Sequence, residues 1–195
     1  MNTIRRVAGT VAAAVLGVLW VTGAGAEDKE FKIGGVVAMS GAYGVIGEAM
    51  QRGAELAAEM RGGKVLGAPI VFDWQDTETK PQVAVQKATK LMAGGANMLF
   101  GAVSSGSTLA VMKVAERRKV PLLATLSASD SITGDQMSPY AFRTSNPVNM
   151  ENQMMAEFAS KEGLKTVYGV RAQHTARRET WDNPQTNRAK PNVAV

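Results

Sequence analysis

The sequence predicts an α/β fold, a doubly wound parallel sheet with helices on both faces. Short apolar runs alternate along the chain with longer segments in which apolar residues recur every three or four positions. The short runs are continuously apolar, as is typical of strands that are buried on both faces. Strands and helices that alternate in this way form parallel sheets in most domains.

The predicted strands are brief, and they are separated by segments long enough to hold a helix. The apolar runs that indicate them lie at residues 32–39, 69–74, 97–101, 120–124, 138–144 and 165–170. Their lengths of five to eight residues match ordinary strands. The carboxyl ends of these strands are therefore expected to meet at one edge of the sheet.

Helical spacing of apolar residues predicts helices around residues 46–60, 84–92, 109–115 and 149–162. Pro81 suits a first helical turn, and the glycine pairs at 62–63 and 94–95 are natural helix ends. Glu48 precedes Arg52 by four residues, the favoured order for an ion pair along a helix.

The N terminus has the features of a cleaved signal peptide over residues 1–26. Arg5 and Arg6 precede an uncharged apolar run over 7–21, and Ala24-Gly25-Ala26 forms a small-x-small cleavage site. A membrane-spanning helix needs about 20 apolar residues, so a retained anchor is the weaker interpretation. We therefore expect a periplasmic protein. The absence of cysteine excludes disulfides and a lipid-modified cysteine.

The net charge of +5 comes entirely from the two ends of the chain. Residues 27–170 contain 15 basic and 15 acidic side chains, and the excess lies at Arg5, Arg6 and beyond residue 170. A neutral globular part has no basic surface for a phosphate backbone, so nucleic acid is not an expected partner.

Periodic patterning stops after residue 170, and residues 171–195 are predicted to be disordered because they contain few large apolar side chains. A truncated or frame-shifted sequence is one explanation of the unpatterned end, and a genuine flexible tail is the other.

Hydroxyl side chains gather in three loops that follow predicted strands, at residues 40–44, 103–108 and 125–130. Each hydroxyl taken alone is most simply a helix cap. Three such loops at one sheet edge, beside helix N termini, predict a site for a small carboxylate or zwitterion. Backbone amides and the helix dipole favour the anion there without a lysine or arginine.

The segment KIGGVVAMSGAYGVIGEAMQRGAELAAEM resembles the start of the leucine/isoleucine/valine-binding family of periplasmic proteins. The loops GAVSSGST, VPLLATLSASDSIT and SPYAFRT extend the resemblance over about residues 31–170. It implies a type I periplasmic-binding-protein fold with a first lobe over residues 27–145 and the start of a second lobe over 146–170. Most of that second lobe would then be missing. It also implies that Ser105 holds the ligand carboxylate, with Ser104 beside it, and that Ser127 or Ser129 holds the amino group.

The same resemblance implies that an aromatic residue of the first loop lines the side-chain pocket. Ile46 occupies the aligned position here, and Tyr43 lies three residues earlier, so both are candidates. The implied function is the solute-binding component of an ABC transporter, which captures a branched-chain-type amino acid or related carboxylate. The implied partner is a permease in the inner membrane, and the full-length protein is expected to be a monomer without cofactors.

An α/β hydrolase-like enzyme is the first alternative, and the sequence lacks its equipment. No serine lies in G-x-S-x-G, and the only histidine, His174, lies in the unpatterned tail. A metal site is disfavoured without cysteine and with one histidine. The acidic run of Asp73, Asp76 and Glu78 lacks a complete calcium-loop pattern and is interpreted as a solvated strand end.

An extracellular ligand-sensing receptor domain is the second alternative, since the same lobe architecture serves sensors. A membrane-spanning helix after the lobe would mark such a protein, and no apolar segment of that length follows residue 170. Soluble transport is therefore the favoured interpretation.

Overall fold

The computed structural model describes residues 30–164, which form six strands and four α-helices. The strands are β1 (Phe31–Val37), β2 (Lys64–Val65), β3 (Ala68–Asp76), β4 (Met98–Gly101), β5 (Leu122–Ala124) and β6 (Ala141–Arg143). The helices are α1 (Gly44–Met60), α2 (Pro81–Ala93), α3 (Ser105–Arg118) and α4 (Val148–Lys161). The predicted signal peptide, the strand at 165–170 and the tail at 171–195 with His174 lie outside the described residues.

The strands form one sheet in the order β2-β3-β1-β4-β5-β6. Strands β3, β1, β4, β5 and β6 run parallel, and only β2 is antiparallel to its neighbour. The chain moves outward from β1 in one direction to β3 and in the other to β4, so the fold is doubly wound as predicted. Loops that leave β1 and β4 therefore diverge and open a crevice at the carboxyl edge of the sheet.

Helices cover both faces of the sheet around β1. A side chain at Gly34 would meet Leu91 of α2, whereas one at Gly35 would meet the ring of Trp74 on the opposite face. Trp74 Nε1 donates to Glu55 Oε1 of α1 at 2.8 Å, which places α1 on that second face. The continuous apolar pattern of β1 follows from this double coverage.

The main core lies between the sheet and the helices α2 and α3. Its members are buried apolar side chains of β1, β4, β5, α2 and α3, among them Val36, Leu99, Leu122, Leu91 and Val111. Burial of this apolar surface is the dominant favourable contribution to folding. It also fixes the position of the α3 N terminus against the ends of β4 and β5.

The antiparallel strand β2 was absent from the sequence prediction. It has only two residues, too few for any periodic signal, and it pairs with β3 through Leu66 and Gly67. Both turn residues have positive φ, 49° and 85°, as a two-residue hairpin with the mirror-image turn requires. The preceding helix α1 ends at Met60, just before the predicted glycine stop at 62–63.

The local signals for the helices are confirmed. Helix α2 begins at Pro81 and ends before Gly94, and Glu48 pairs with Arg52 across 3.7 Å on α1. Within residues 30–164, no helix has the length and apolar character that would let it cross a membrane.

Candidate ligand-binding cleft

A cleft of about 340 Å³ opens at the carboxyl edge of the sheet. Its walls come from the loops that follow β1, β3, β4 and β5, the four segments that the doubly wound topology brings to this edge. A cavity of this size is within the range of small-ligand sites. The cleft is therefore the place where the sequence-predicted site residues should be sought.

One wall is the N terminus of α3, formed by Val103, Ser104, Ser105 and Gly106. Ser104 is the N-cap, and its Oγ accepts a hydrogen bond from the Ser107 amide at 3.3 Å. The amides of a first helical turn have no partner inside the helix. The cap pairs the Ser107 amide, whereas the amides of Ser105 and Gly106 have no partner within the helix and lie at the wall of the cleft.

The opposite wall comes from the loop after β1 and the turn after β3. Tyr43 and Ile46 lie at the start of α1, and Ile46 leaves 41% of its surface exposed. Thr79 and Pro81 border the cleft from the turn between β3 and α2. This wall presents an aromatic ring and aliphatic groups to the hydroxyls of α3, and it accounts for two of the predicted pocket residues.

Ser127 and Ser129 lie one layer below the cleft, and their side chains are buried. Ser127 Oγ donates to the Ala102 carbonyl at 2.7 Å and also bonds to Thr108 Oγ1. Ser129 Oγ accepts from the Ser131 amide at 3.3 Å and caps the 3-10 turn Asp130–Ile132. Their neighbours Leu126 and Ala128 line the cleft instead.

The six predicted site residues thus occupy one region of the molecule. Four of them, Tyr43, Ile46, Ser104 and Ser105, line the cleft. The two deeper serines support its floor, and the amide of Ser129 donates to Ser105 Oγ at 3.3 Å. That bond leaves the hydroxyl proton of Ser105 available to a ligand acceptor.

The cleft is electrically neutral in its side chains. Among residues 30–164, the ones that line it include hydroxyls, a glycine and apolar groups but no charged side chain. The amides and the dipole at the N terminus of α3 are then the main local source of positive potential. A small anion is the species that such a wall favours.

Asp76 is a structurally important residue that the sequence reasoning treated as part of a solvated strand end. It ends β3, and its Oδ1 accepts from the amides of Met39, Ser40 and Glu78 at 2.9, 3.3 and 2.8 Å. Partial burial raises the pKa of this carboxyl. Hydrogen bonds from the Ser40 side chain and these amides outweigh burial, and the pKa lies below its ordinary value.

The turn after Asp76 has an uncommon backbone conformation. Glu78 and Thr79 have φ values of 50° and 60°, and Thr79 is β-branched. The turn is closed by the Lys80 amide, which donates to the Thr77 carbonyl at 2.8 Å. An aspartate at a strand end just before a short polar turn was the available signal, because such side chains often bind nearby backbone amides.

Comparison with known proteins shows which family this chain is similar to in sequence and in fold. A family model described as "Periplasmic binding protein" matches residues 30–187. A curated relative, the Leu/Ile/Val-binding protein homolog 3 of Brucella melitensis, is 23% identical over 140 residues, which are 71% of this chain and 38% of the relative. The chain thus spans well under half the length of this relative.

Two solved structures are similar both in fold and in sequence. A solute-binding protein of an ABC transporter from Rhodopseudomonas palustris, in complex with benzoate, is 31% identical with a TM-score of 0.78. The match covers 85% of this chain and 47% of that one. The branched-chain amino acid transporter substrate-binding protein LivJ of Streptococcus pneumoniae, in complex with isoleucine, is 26% identical with a TM-score of 0.66. That match covers 72% of this chain and 41% of the other.

Proposed function

The chain belongs to the periplasmic binding protein family, and from that premise we propose that its cleft captures a small solute through the solute's carboxylate. The observation that carries the proposal is the uncharged cleft whose one wall is the N terminus of α3. Ser105 Oγ and the amides of Ser105 and Gly106 would bind the carboxylate, and Ser104 would hold the first turn in place.

The remainder of the solute would lie against Tyr43, Ile46 and Leu126. A branched-chain amino acid is the first candidate, since its side chain suits an apolar wall. Its ammonium group would need acceptors, for which the loop of Ser127 and Ser129 is the nearest source in this lobe. The carbonyl of Ser127 already accepts from Ser145 Oγ at 2.9 Å, and a carbonyl can accept a second bond.

An aromatic monocarboxylate such as benzoate is the second candidate, and a specific observation favours it. No acidic side chain lines the cleft within the described residues, so nothing charged in this lobe compensates an ammonium group. Benzoate has no such group, and its ring suits the aromatic and aliphatic wall. The solved relative with 31% identity was captured with benzoate.

The proposed setting is the periplasm, where the full-length protein would close two lobes around the solute and deliver it to an inner-membrane permease. Residues 27–145 would form the first lobe, and α4 would begin the second. The proposed role is binding without a chemical step, and the described residues that line the cleft include no carboxylate, histidine, lysine or arginine side chain. A sensor domain of the same architecture would share the binding site and differ only in its partner.

Solute titrations of the purified chain, followed by amide chemical shifts, test this function. Leucine, isoleucine and benzoate should shift the amides of Ser105 and Gly106, with weak affinity because a single lobe encloses little of the solute. Benzamide and leucinamide are matched controls that lack the carboxylate, and they should produce much smaller shifts. Equal shifts from benzoate and benzamide, or no shifts at the α3 N terminus, would refute carboxylate capture.

A further inference from the structure

One carboxylate oxygen joins the two segments that form the apolar wall of the cleft. Asp76 Oδ1 accepts from Met39 and Ser40, which begin the loop after β1, and from Glu78 in the turn after β3. The first segment carries Tyr43 into the cleft and the second carries Thr79. Asp76 itself does not line the cleft.

The last direct backbone bond between β1 and β3 runs from the Thr77 amide to the Val37 carbonyl at 2.9 Å. Beyond it, the loop and the turn contact each other directly through one weak side-chain bond. Thr79 Oγ1 donates to the Ser40 carbonyl at 3.4 Å, near the limit for a hydrogen bond. The three bonds to Asp76 are charge-assisted, and such bonds are stronger than neutral ones. Beyond the end of the strand pairing, Asp76 is therefore the main hydrogen-bonding link between the loop after β1 and the turn after β3.

The conformation of the turn also requires support. A β-branched residue such as Thr79 is unfavourable at positive φ and persists where surrounding contacts determine the backbone. Two hydrogen bonds hold the backbone of this turn. The Glu78 amide donates to Asp76, and the Lys80 amide donates to the Thr77 carbonyl. Without Asp76, the turn would lose its strongest constraint and Thr79 would move.

We propose that Asp76 is a positioning residue for the cleft, which sets the separation of Tyr43 and Thr79 and through it the affinity for solute. This inference rests on the proposed function of the cleft. The solute never contacts Asp76, and the effect is carried by the two backbone segments that Asp76 binds.

The charged surroundings of Asp76 allow its ionisation to be followed separately. Glu78 and Lys80 in the same turn pair with each other at 2.8 Å. Residues 39–44 of the facing loop and 81–86 of the first turns of α2 contain no charged side chain. A pH-dependent change that comes from ionisation of the Asp76 carboxyl should therefore disappear in Asp76→Asn and persist in variants of Glu78 and Lys80.

The test uses the 195-residue chain and the variants Asp76→Asn and Asp76→Ala. Asp73→Asn is the matched control, since Asp73 is an exposed acid of the same strand whose Oδ1 accepts from Gln75 Nε2. In wild type and in Asp73→Asn, the amide protons of Met39, Ser40 and Glu78 should shift together as Asp76 titrates. In Asp76→Asn this concerted shift should disappear, because an asparagine side chain does not titrate. The Oδ1 of the asparagine can still accept hydrogen bonds, so the loops should stay near their native positions.

Affinity is then measured with benzoate and leucine as probes. Asp76→Ala should weaken binding by about 10- to 100-fold, the change in affinity that corresponds to the loss of one hydrogen bond to a charged group. Asp76→Asn should fall between Asp76→Ala and wild type. Leu91→Val, a buried change near the C-terminal end of α2, serves as a variant that lowers stability without altering a residue of the cleft, and it should bind as wild type does.

Two results would overturn the inference. Wild-type affinity in Asp76→Ala would show that the wall does not depend on Asp76, and an equal loss in Leu91→Val would reduce the effect to global stability. If wild type binds none of the probes, the proposed function fails and the inference falls with it, even where the amide titration is seen. Binding by wild type with unaltered binding by Asp76→Ala leaves the proposed function intact and removes this inference alone.

Discussion

The backbone amide of Ser129 donates a hydrogen bond to Ser105 Oγ across 3.3 Å. This bond joins the loop after β5 to the first residue of α3, so two walls of the cleft are held at a fixed distance. It also uses the Ser105 oxygen as an acceptor, which directs the hydroxyl proton toward other partners. A carboxylate at the α3 N terminus is the partner that the local potential favours.

Ser105→Ala should weaken carboxylate binding by about 1 to 3 kcal/mol, because a hydrogen bond to a charged group is lost. Calorimetry on a full-length version, or amide-shift titration of the present chain, measures the change. Ser160→Ala on the exposed side of α4 is the control and should bind as wild type does. Unchanged affinity in Ser105→Ala would remove its assigned role.

Ser127→Ala should lower the free energy of unfolding by about 1 to 3 kcal/mol, since it removes a buried donor to the Ala102 carbonyl. Urea unfolding measures this change, and Ser160→Ala again provides an exposed serine for comparison. Retained stability with a loss of affinity would instead favour direct contact between Ser127 and the solute.

Two glycines of α1 should respond to alanine in opposite ways. A Cβ at Gly47 would lie 1.8 Å from the Ala38 carbonyl oxygen, so Gly47→Ala must push the helix away from the end of β1 and destabilise the protein. Gly53 has open space around it, and Gly53→Ala should stabilise by about 0.5 to 1 kcal/mol through helix propensity. Thermal unfolding of both variants tests the contrast, and equal shifts in Tm would contradict it.

Acid should destabilise the protein partly through Asp76. Its pKa is lower in the folded than in the unfolded chain, so its stabilising contribution is complete above the unfolded value of about 4 and is lost as pH falls through the folded value. The difference in unfolding free energy between wild type and Asp76→Asn should therefore shrink as pH decreases below 4. A difference that is constant with pH in urea titrations would count against this linkage, and Asp73→Asn controls for the loss of an exposed acid.

The apolar face of α4 should promote self-association of this chain. Met154, Met155 and Phe158 leave 64%, 65% and 54% of their surfaces exposed among the described residues. Replacing Met154 and Phe158 together by glutamine should reduce the apparent mass by light scattering without lowering stability, because these side chains contribute little to the core. Glu157→Gln on the same helix controls for a changed surface. An oligomer that persists in the double variant would show that another surface is responsible.

The order of the four α-helices and of every strand except β2 was predictable because each of these elements has its own local signal. Pro81 at the first turn of α2 and the glycines after α1 and α2 are constraints on single residues, and they act independently of the rest of the fold. The family resemblance read from the first strand and the three hydroxyl loops is confirmed by the family match and by the relatives. Strand β2 was not predicted, because a strand of two residues is too short to show periodic spacing of apolar residues.

Tyr43, Ser104 and Ser105 could be placed at one edge of the sheet from the sequence, because the carboxyl ends of parallel strands share an edge. Ile46 was a candidate only through the family resemblance. Side-chain direction could not be assigned. The hydroxyls of Ser104, Ser105, Ser127 and Ser129 look alike in the sequence, yet two line the cleft and two are buried beneath it. Ser127 is buried because it donates to the Ala102 carbonyl, and Ser129 because it caps the 3-10 turn at 130–132. The first contact is distant in sequence and the second depends on the turn, so neither could be predicted from the local sequence.

The sequence by itself therefore determined the alternation of elements, the edge at which loops converge and the chemical character of those loops, since all three depend on neighbours along the chain. Only the tertiary structure decided that Asp76 binds amides 37 and 36 residues earlier and that Ser127 faces inward. Such contacts join segments that are distant in sequence, and they form only when burial of the core brings β1, β3 and β4 side by side.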